Sequence, residues 1–195
     1  MNKEHLKNQL SSFSSSMFKK DFFGIYHGSI SAKAGSNHFI INTREAVFDR
    51  IDENALIKLS FTKDYRWKQA SIDADIHHAI YSHISEAKFI CFSAPQYITA
   101  YASEHNIIIP KDYFGSKELG SIEVYNPKQF ESWYERAPSE ISHYFQTNKT
   151  DLIIIRDYGV YIYNRDIYEM AKQLAILERS CRLLMLEKNS SALDD

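Results

Sequence analysis

The first twenty positions repeat apolar residues at helical spacing, with Leu6, Leu10, Phe13 and Met17 on one face of an expected helix over residues 1–20. Ser11, Ser12, Ser14, Ser15 and Ser16 lie between them and weaken that expectation, because serine is a mediocre helix former. From Phe22 the texture changes. Residues 25–32 alternate bulky and small side chains, Ala34-Gly35-Ser36-Asn37 supplies turn chemistry, and 38–42 reads as the second strand of a hairpin. A third strand is expected over 55–61 and a turn over 63–66. Ser71 or Asp73 then caps a helix whose apolar stripe is Ile76, Ala79, Ile80 and Ile84.

Further along, 89–92 is a short, fully apolar strand, and Pro95 suits the first turn of a helix reaching Glu104. Ile107-Ile108-Ile109 is a buried-strand candidate, 111–120 a loop, and 122–125 a strand. Residues 127–147 read as one or two helices interrupted near Pro138. Two strands, 151–156 and 160–163, flank the turn Asp157-Tyr158-Gly159. Last comes a long helix carrying Ile167, Met170, Ala171, Leu174, Leu177, Cys181 and Leu184 at helical spacing. With no repeat or linker to divide it, the order implies one mixed α/β domain over 1–195, helices covering a sheet, with a flexible tail over 188–195.

Length and charge narrow the function classes. At 195 residues the chain is long enough to bury a sizeable core. Its 23 basic and 25 acidic residues leave no basic excess, so the electrostatic footprint of a nucleic-acid binder is missing. No apolar run approaches the ~18 residues of a membrane helix, and Met1 to His5 lack the apolar core of a secretory signal. A cytoplasmic location is the expectation. Two cysteines, Cys91 and Cys181, make neither a disulfide framework nor a cysteine-rich zinc site.

Generic motifs of chemistry are absent. His77, His78 and His83 share one expected helix, but separations of one, five and six residues put no two on the same side of an ion. They read as solvated or capping histidines, as do His105 and His143. There is no nucleophile elbow and no phosphate loop, and Cys91 lies in an apolar strand where a thiol packs. Tyr161 and Tyr163 alternate along a strand as if to cover a sheet face.

The order of segments nevertheless resembles the class II aldolase/adducin head-domain family over about residues 5–187. Residues 152–163, Leu-Ile-Ile-Ile-Arg-Asp-Tyr-Gly-Val-Tyr-Ile-Tyr, resemble its apolar strand, Arg-Asn-His-Gly turn and second strand. Gly28-Ser29-Ile30-Ser31 resembles its Gly-Asn-Ile-Ser, and Phe39-Ile40-Ile41 its Phe-Leu-Ile strand. Residues 90–97 stand where the family writes His-Thr-His-Pro. The resemblance implies a three-layer α/β/α domain with a central mixed, largely antiparallel sheet. It also implies a chemistry: zinc on three histidines polarises a ketose phosphate, an acidic residue moves protons, and Gly, Ser and Asn groups bind phosphate. Homotetramers with the active site between neighbours are implied as well, whereas adducin heads share the fold without catalysis.

Against that pattern, Phe92, Ala94 and Tyr158 stand at the three histidine positions, so no zinc or other cofactor is expected. Arg44-Glu45 replaces a Ser-Gly, Ser71-Ile72 replaces a Ser-Ser, and Asp73 holds the acidic position one methylene short. Tyr125 stands for a tyrosine that the aldolases reach across the subunit interface. A hairpin turning at Gly35 brings His27 opposite Asn42 and Thr43, grouping His27, Gly28, Ser29, Arg44 and Ser71 as ligand-binding candidates around one pocket mouth. Arg44 there holds a carboxylate or phosphate by a bidentate fork, or else forms a surface salt bridge.

Three readings follow. The favoured one is a metal-free, non-lyase member, a homo-oligomer binding a small phosphorylated or carboxylate ligand or a protein, with no nucleic-acid or membrane partner. A second is an enzyme with rearranged acid–base chemistry on Asp73, His77, Tyr125 and Tyr158. The third, an ordinary aldolase or epimerase with its ligands elsewhere, has only His77, His78 and His83 to draw on.

Overall fold

The computed structural model describes residues 3–25, 27–52 and 54–191. Its first element is α1 (Lys3–Phe18), which forms despite its serines because Leu6, Leu10, Phe13 and Met17 are buried in one row. Each such side chain contributes about 1.5–3 kcal/mol, well above the propensity cost of a serine. The buried Ser14 donates its hydroxyl to the Phe48 carbonyl at 3.2 Å.

Strands β1 (Ser29–Lys33), β2 (His38–Asn42) and β3 (Leu56–Ser60) form an antiparallel meander, and α2 (Ala74–His83) follows. Then come β4 (Phe89–Ser93), α3 (Gln96–Glu104), β5 (Ile107–Ile108), α4 (Tyr113–Glu118) and β6 (Ile122–Tyr125). The chain ends with α5 (Trp133–Asn148), β7 (Leu152–Ile155), β8 (Gly159–Asn164) and α6 (Ile167–Ser191). Eight strands make one sheet in the order β3-β2-β1-β4-β8-β7-β6-β5, antiparallel throughout except for the parallel pair β6–β7. One face carries a core shared with α1, α3 and α6, and the other a core shared with α2 and α5. This is the three-layer mixed architecture that the resemblance implies.

Three local expectations change. Residues 113–118 are helical rather than loop: Asp112 accepts from the Gly115 amide at 3.0 Å, and Gly115 packs so close to α6 that an added Cβ would lie 2.2 Å from Ser180 Oγ. Pro138 does not divide α5. It sits at the sixth position, forfeits one bond to the Tyr134 carbonyl, and is outweighed by the buried stripe Trp133, Ala137, Ile141 and Phe145. Helix α6 continues through Ser191, so the tail expected from residue 188 begins as helix, and 192–195 lie outside the described residues.

The β7–β8 turn is the tightest point near the sheet centre. Asp157 takes φ 58° and Gly159 φ 154°. A Cβ on Gly159 would lie 2.5 Å from the Ser93 carbonyl oxygen and 2.8 Å from the Phe92 ring. Gly159→Ala should therefore cost on the order of 2 kcal/mol or more. Gly120→Asn, at φ 63° with open space around it, should stay within about 0.5 kcal/mol. Urea-unfolding midpoints of the two variants measure the contrast.

Candidate functional site

The sheet register sets the floor of the site. Ser29 pairs with Phe92, and Phe92 pairs with Tyr161, so these three side chains line up across β1, β4 and β8 on the face beneath α2 and α5. Strand alternation sends Ser31 to the same face as Ser29. Above them, Asp73, His77 and Tyr81 recur every fourth residue at the start of α2 and along it, one polar row within a buried helix face.

The two rows meet in hydrogen bonds. Ser29 donates to Asp73 Oδ2 at 2.7 Å, and the Tyr161 hydroxyl donates to Asp73 Oδ1 at 2.9 Å. Ser29 Oγ also lies 2.9 Å from His77 Nε2, and Ser31 Oγ lies 2.6 Å from His77 Nδ1. Ser31 Oγ is 2.8 Å from the Tyr81 hydroxyl. Asp73 is 3% exposed and His77 fully buried. Burial pushes the Asp73 carboxyl above its usual range, against the opposing pull of Ser29, Tyr161 and the His27 charge. Burial alone pushes His77 down to about 3, so its imidazole is neutral. The Tyr158 and Tyr161 phenols are raised by burial and by the Asp73 charge, and neither ionises near neutral pH.

A cleft of about 160 Å3 opens over Asp73. His27, Gly28, Arg44 and Ser71 line one side, and Phe92, Tyr134 and Tyr158 another. The Tyr134 and Tyr158 hydroxyls are hydrogen-bonded at 2.7 Å. Arg44 is exposed at the mouth, and among the described residues no carboxylate pairs with it. A wider groove of about 700 Å3 runs between α3 and α6. Its more buried acid, Glu178, is already committed to capping α3 through the Tyr97 and Ile98 amides at 3.1 and 2.9 Å. The smaller cleft, with an organised carboxyl group at its base, is the candidate site.

Most of the expected ligand-binding set converges here, with corrections. Ser31 faces Ile41, so Asn42 lies beside Ile30, whose amide donates to Asn42 Oδ1 at 2.8 Å. His27 therefore lies beyond the paired strand rather than opposite Asn42, yet it reaches the cleft with its ring 5.3 Å from that of Phe92. Ser29 sits behind Asp73 instead of at the mouth. Asp73 holds the N-cap position without capping, because both its oxygens serve Ser29 and Tyr161.

Tyr125 is not brought to the cleft of its own chain. Its hydroxyl donates to Glu140 at 2.7 Å, and burial with that carboxylate pushes it up to about 12. His77 is neither solvated nor capping, and Tyr161 does more than cover the sheet. The signal for His77 was the four-residue spacing of Asp73, His77 and Tyr81 against the two-residue spacing of Ser29 and Ser31.

The sequence matches the profile of the class II aldolase and adducin N-terminal domain over residues 8–185. The chain belongs to that family. No curated protein matches it by sequence. Among solved structures, an L-fuculose-1-phosphate aldolase of Thermus thermophilus superposes with a TM-score of 0.82 at 15% identity, covering 97% of both chains. YgbL of Klebsiella pneumoniae gives 0.81 at 16% identity, covering 95% of this chain and 91% of that one. The sugar-phosphate aldolase of Thermotoga maritima gives 0.73 at 11%, covering 93% and 95%. At such identities the likeness is one of fold.

The zinc that the class II aldolase resemblance implies can be tested against the side chains present. Phe92 and Tyr158 stack at 4.8 Å and 31°, and Ala94 follows on the same segment. Phenylalanine and alanine offer no lone pair, and the half-buried Tyr158 phenol is raised further above its ordinary value, so these three residues do not fit the ion. Among the described residues no other group of three or more His, Cys, Asp or Glu side chains could hold one.

Two buried groups make stability respond to pH in opposite senses. Below the ordinary histidine value of about 6.5 the unfolded chain binds a proton that folded His77 refuses, so stability falls as pH drops toward 3. Asp73, raised in the fold, takes its proton before the unfolded chain does, so it adds stability as pH falls through its folded value. Asp73→Asn removes that compensation. The variant should match or exceed the wild type at pH 8, then lose stability more steeply between pH 6.5 and 4, by up to about 1.4 kcal/mol per unit. A urea-unfolding series across pH reads the slope.

Proposed function

We propose that this chain is a metal-independent member of the class II aldolase and adducin family that keeps its cleft as a binding site and has given up lyase chemistry. The observation that carries the reading is the trio Phe92, Ala94 and Tyr158: aromatic stacking stands where electron-pair donors are needed. The ligand is a small phosphorylated or carboxylate compound. Arg44 grips its anionic group by a bidentate fork, with His27 and Ser71 beside it, and a ligand hydroxyl donates to Asp73. The space equals about five waters at about 30 Å3 each, suited to a small molecule.

Ile72, Phe130 and Tyr134 are large apolar or aromatic side chains exposed near this face at 50%, 41% and 44%. They support a homo-oligomer, a tetramer by analogy with the family's aldolases, in which a neighbour completes the mouth. A cytoplasmic location, with neither nucleic acid nor membrane as partner, accompanies the reading. Among the described residues no helix is long and apolar enough to cross a membrane.

A second reading, acid–base catalysis without metal, is favoured by one observation: Asp73 and Tyr158 share the cleft, and burial raises the proton affinity of the carboxylate. An isomerisation or elimination on a small phosphorylated sugar fits such a pair. Proton exchange into ligand carbon in deuterated water separates it from plain binding.

Metal analysis of protein purified without chelator should find well under one zinc per chain; one tightly held zinc per chain would defeat the reading. Calorimetric titration with small sugar phosphates and hydroxycarboxylates should find a ligand whose affinity drops about tenfold or more, about 1.4 kcal/mol, in Arg44→Ala. Unchanged affinity would remove Arg44 from the site.

A further inference from the structure

Behind the cleft, Asp73, Ser29, His77, Ser31 and Tyr81 form one unbroken row of hydrogen bonds of 2.7, 2.9, 2.6 and 2.8 Å, all buried. The donor inventory of each group is limited, so the direction of every bond follows from its neighbour. An ionised Asp73 only accepts, hence Ser29 spends its single hydrogen on Oδ2. The contact between Ser29 and His77 is then a bond only if Nε2 carries hydrogen. Neutral His77 has a bare Nδ1 in that form, which accepts from Ser31, and Ser31 accepts from Tyr81. Every hydrogen points toward Asp73.

A proton on Asp73 Oδ2, the oxygen that Ser29 meets, reverses the row without moving a heavy atom. Asp73 donates to Ser29, Ser29 to Nε2, Nδ1 to Ser31, and Ser31 to Tyr81. Tyr81 then turns its hydrogen to the Lys88 carbonyl, 3.4 Å away. The row gains one proton, on Asp73; each other group keeps its number of hydrogens, and His77 exchanges one on Nε2 for one on Nδ1. Any mixed arrangement leaves two hydrogens, or two bare acceptors, facing each other in a buried gap.

We propose that His77 is a positioning residue whose neutral tautomer follows the charge of Asp73, Nε2–H when the carboxyl is ionised and Nδ1–H when it is protonated, so that Asp73 has a full set of partners in both states. A group that takes up and returns a proton in a dry site needs such matched surroundings. The groups facing Asp73 are Ser29 from β1, Tyr161 from β8, His27 from the preceding loop, and the Tyr134 and Tyr158 hydroxyls across the cleft. His27 lies outside the row.

The test is long-range proton–nitrogen correlation on the full, ligand-free chain labelled with 15N-histidine, His77 being assigned by its loss in His77→Gln. Asp73→Asn imitates the protonated acid: its amide donates to Ser29 while its carbonyl accepts from Tyr161. That variant should show Nδ1–H at every pH from 6 to 8, and an Nε2–H signal there would overturn the proposal. In the wild type, the Asp73 13C carboxyl shift and the His77 tautomer should change at one midpoint, which needs no variant to fold. A carboxyl that titrates while the tautomer stands still would equally refute it. The measurement needs no ligand, so failure to find one, which counts against the function proposed above, leaves this result standing, and the reverse also holds.

Discussion

The Asp73 carboxylate is held from two sides at once, by Ser29 on β1 and by Tyr161 on β8, two strands apart with Phe92 of β4 between them. Much of the site follows from that bridge. It fixes the start of α2 over the centre of the sheet, and so brings His77 and Tyr81 down onto Ser29 and Ser31. It also explains why a helix begins with an acid that caps nothing. A buried carboxylate without partners costs several kcal/mol, and the two hydroxyl donors are what make this one tolerable. The cleft exists because the bridge stops at the helix start, leaving His27, Ser71 and Arg44 around an opening with a carboxyl group at its base.

The sheet's aromatic layer is the second constraint. Phe92 packs against Tyr161 at 4.5 Å and against Tyr158 at 4.8 Å, and Tyr158 in turn meets Phe130 and Trp133 at 5.9 Å each. These rings join β4, the β7–β8 turn and α5 into one wall. Polar tips project from it, with Tyr134 and Tyr158 sharing a hydrogen bond over the cleft. The wall is apolar in bulk and hydroxylic at its rim, a surface suited to small polar molecules.

Strand positions were legible because apolar runs such as Phe89–Phe92 and Leu152–Ile155 are bounded by turn residues. The α4 segment was not, since its helix depends on one glycine lying against α6 and on an aspartate cap, features that leave no period in a chain. Pro138 misled for a related reason: local propensity argued for a break, and packing of Trp133 and Ile141 overrode it. At the site, Arg44, Ser71, Asp73 and Tyr158 were traceable because the family pattern marks their places, and His27 because the expected hairpin led toward them. His77 escaped because a histidine search framed around metal asks whether two imidazoles share a side, and its partners are two serines and a tyrosine. Tyr161 looked like sheet cover because alternation reports which face a side chain takes and nothing of what its tip reaches.

Phe92, wedged between two tyrosine rings, also limits what can replace it. A histidine placed there alone would set an imidazole between two phenol rings, with the His27 ring beside it and Ala94 and Tyr158 still in place. That single change would give up ring packing on both sides. The three rings therefore behave as one unit, in which a change of shape at any member is passed to the other two.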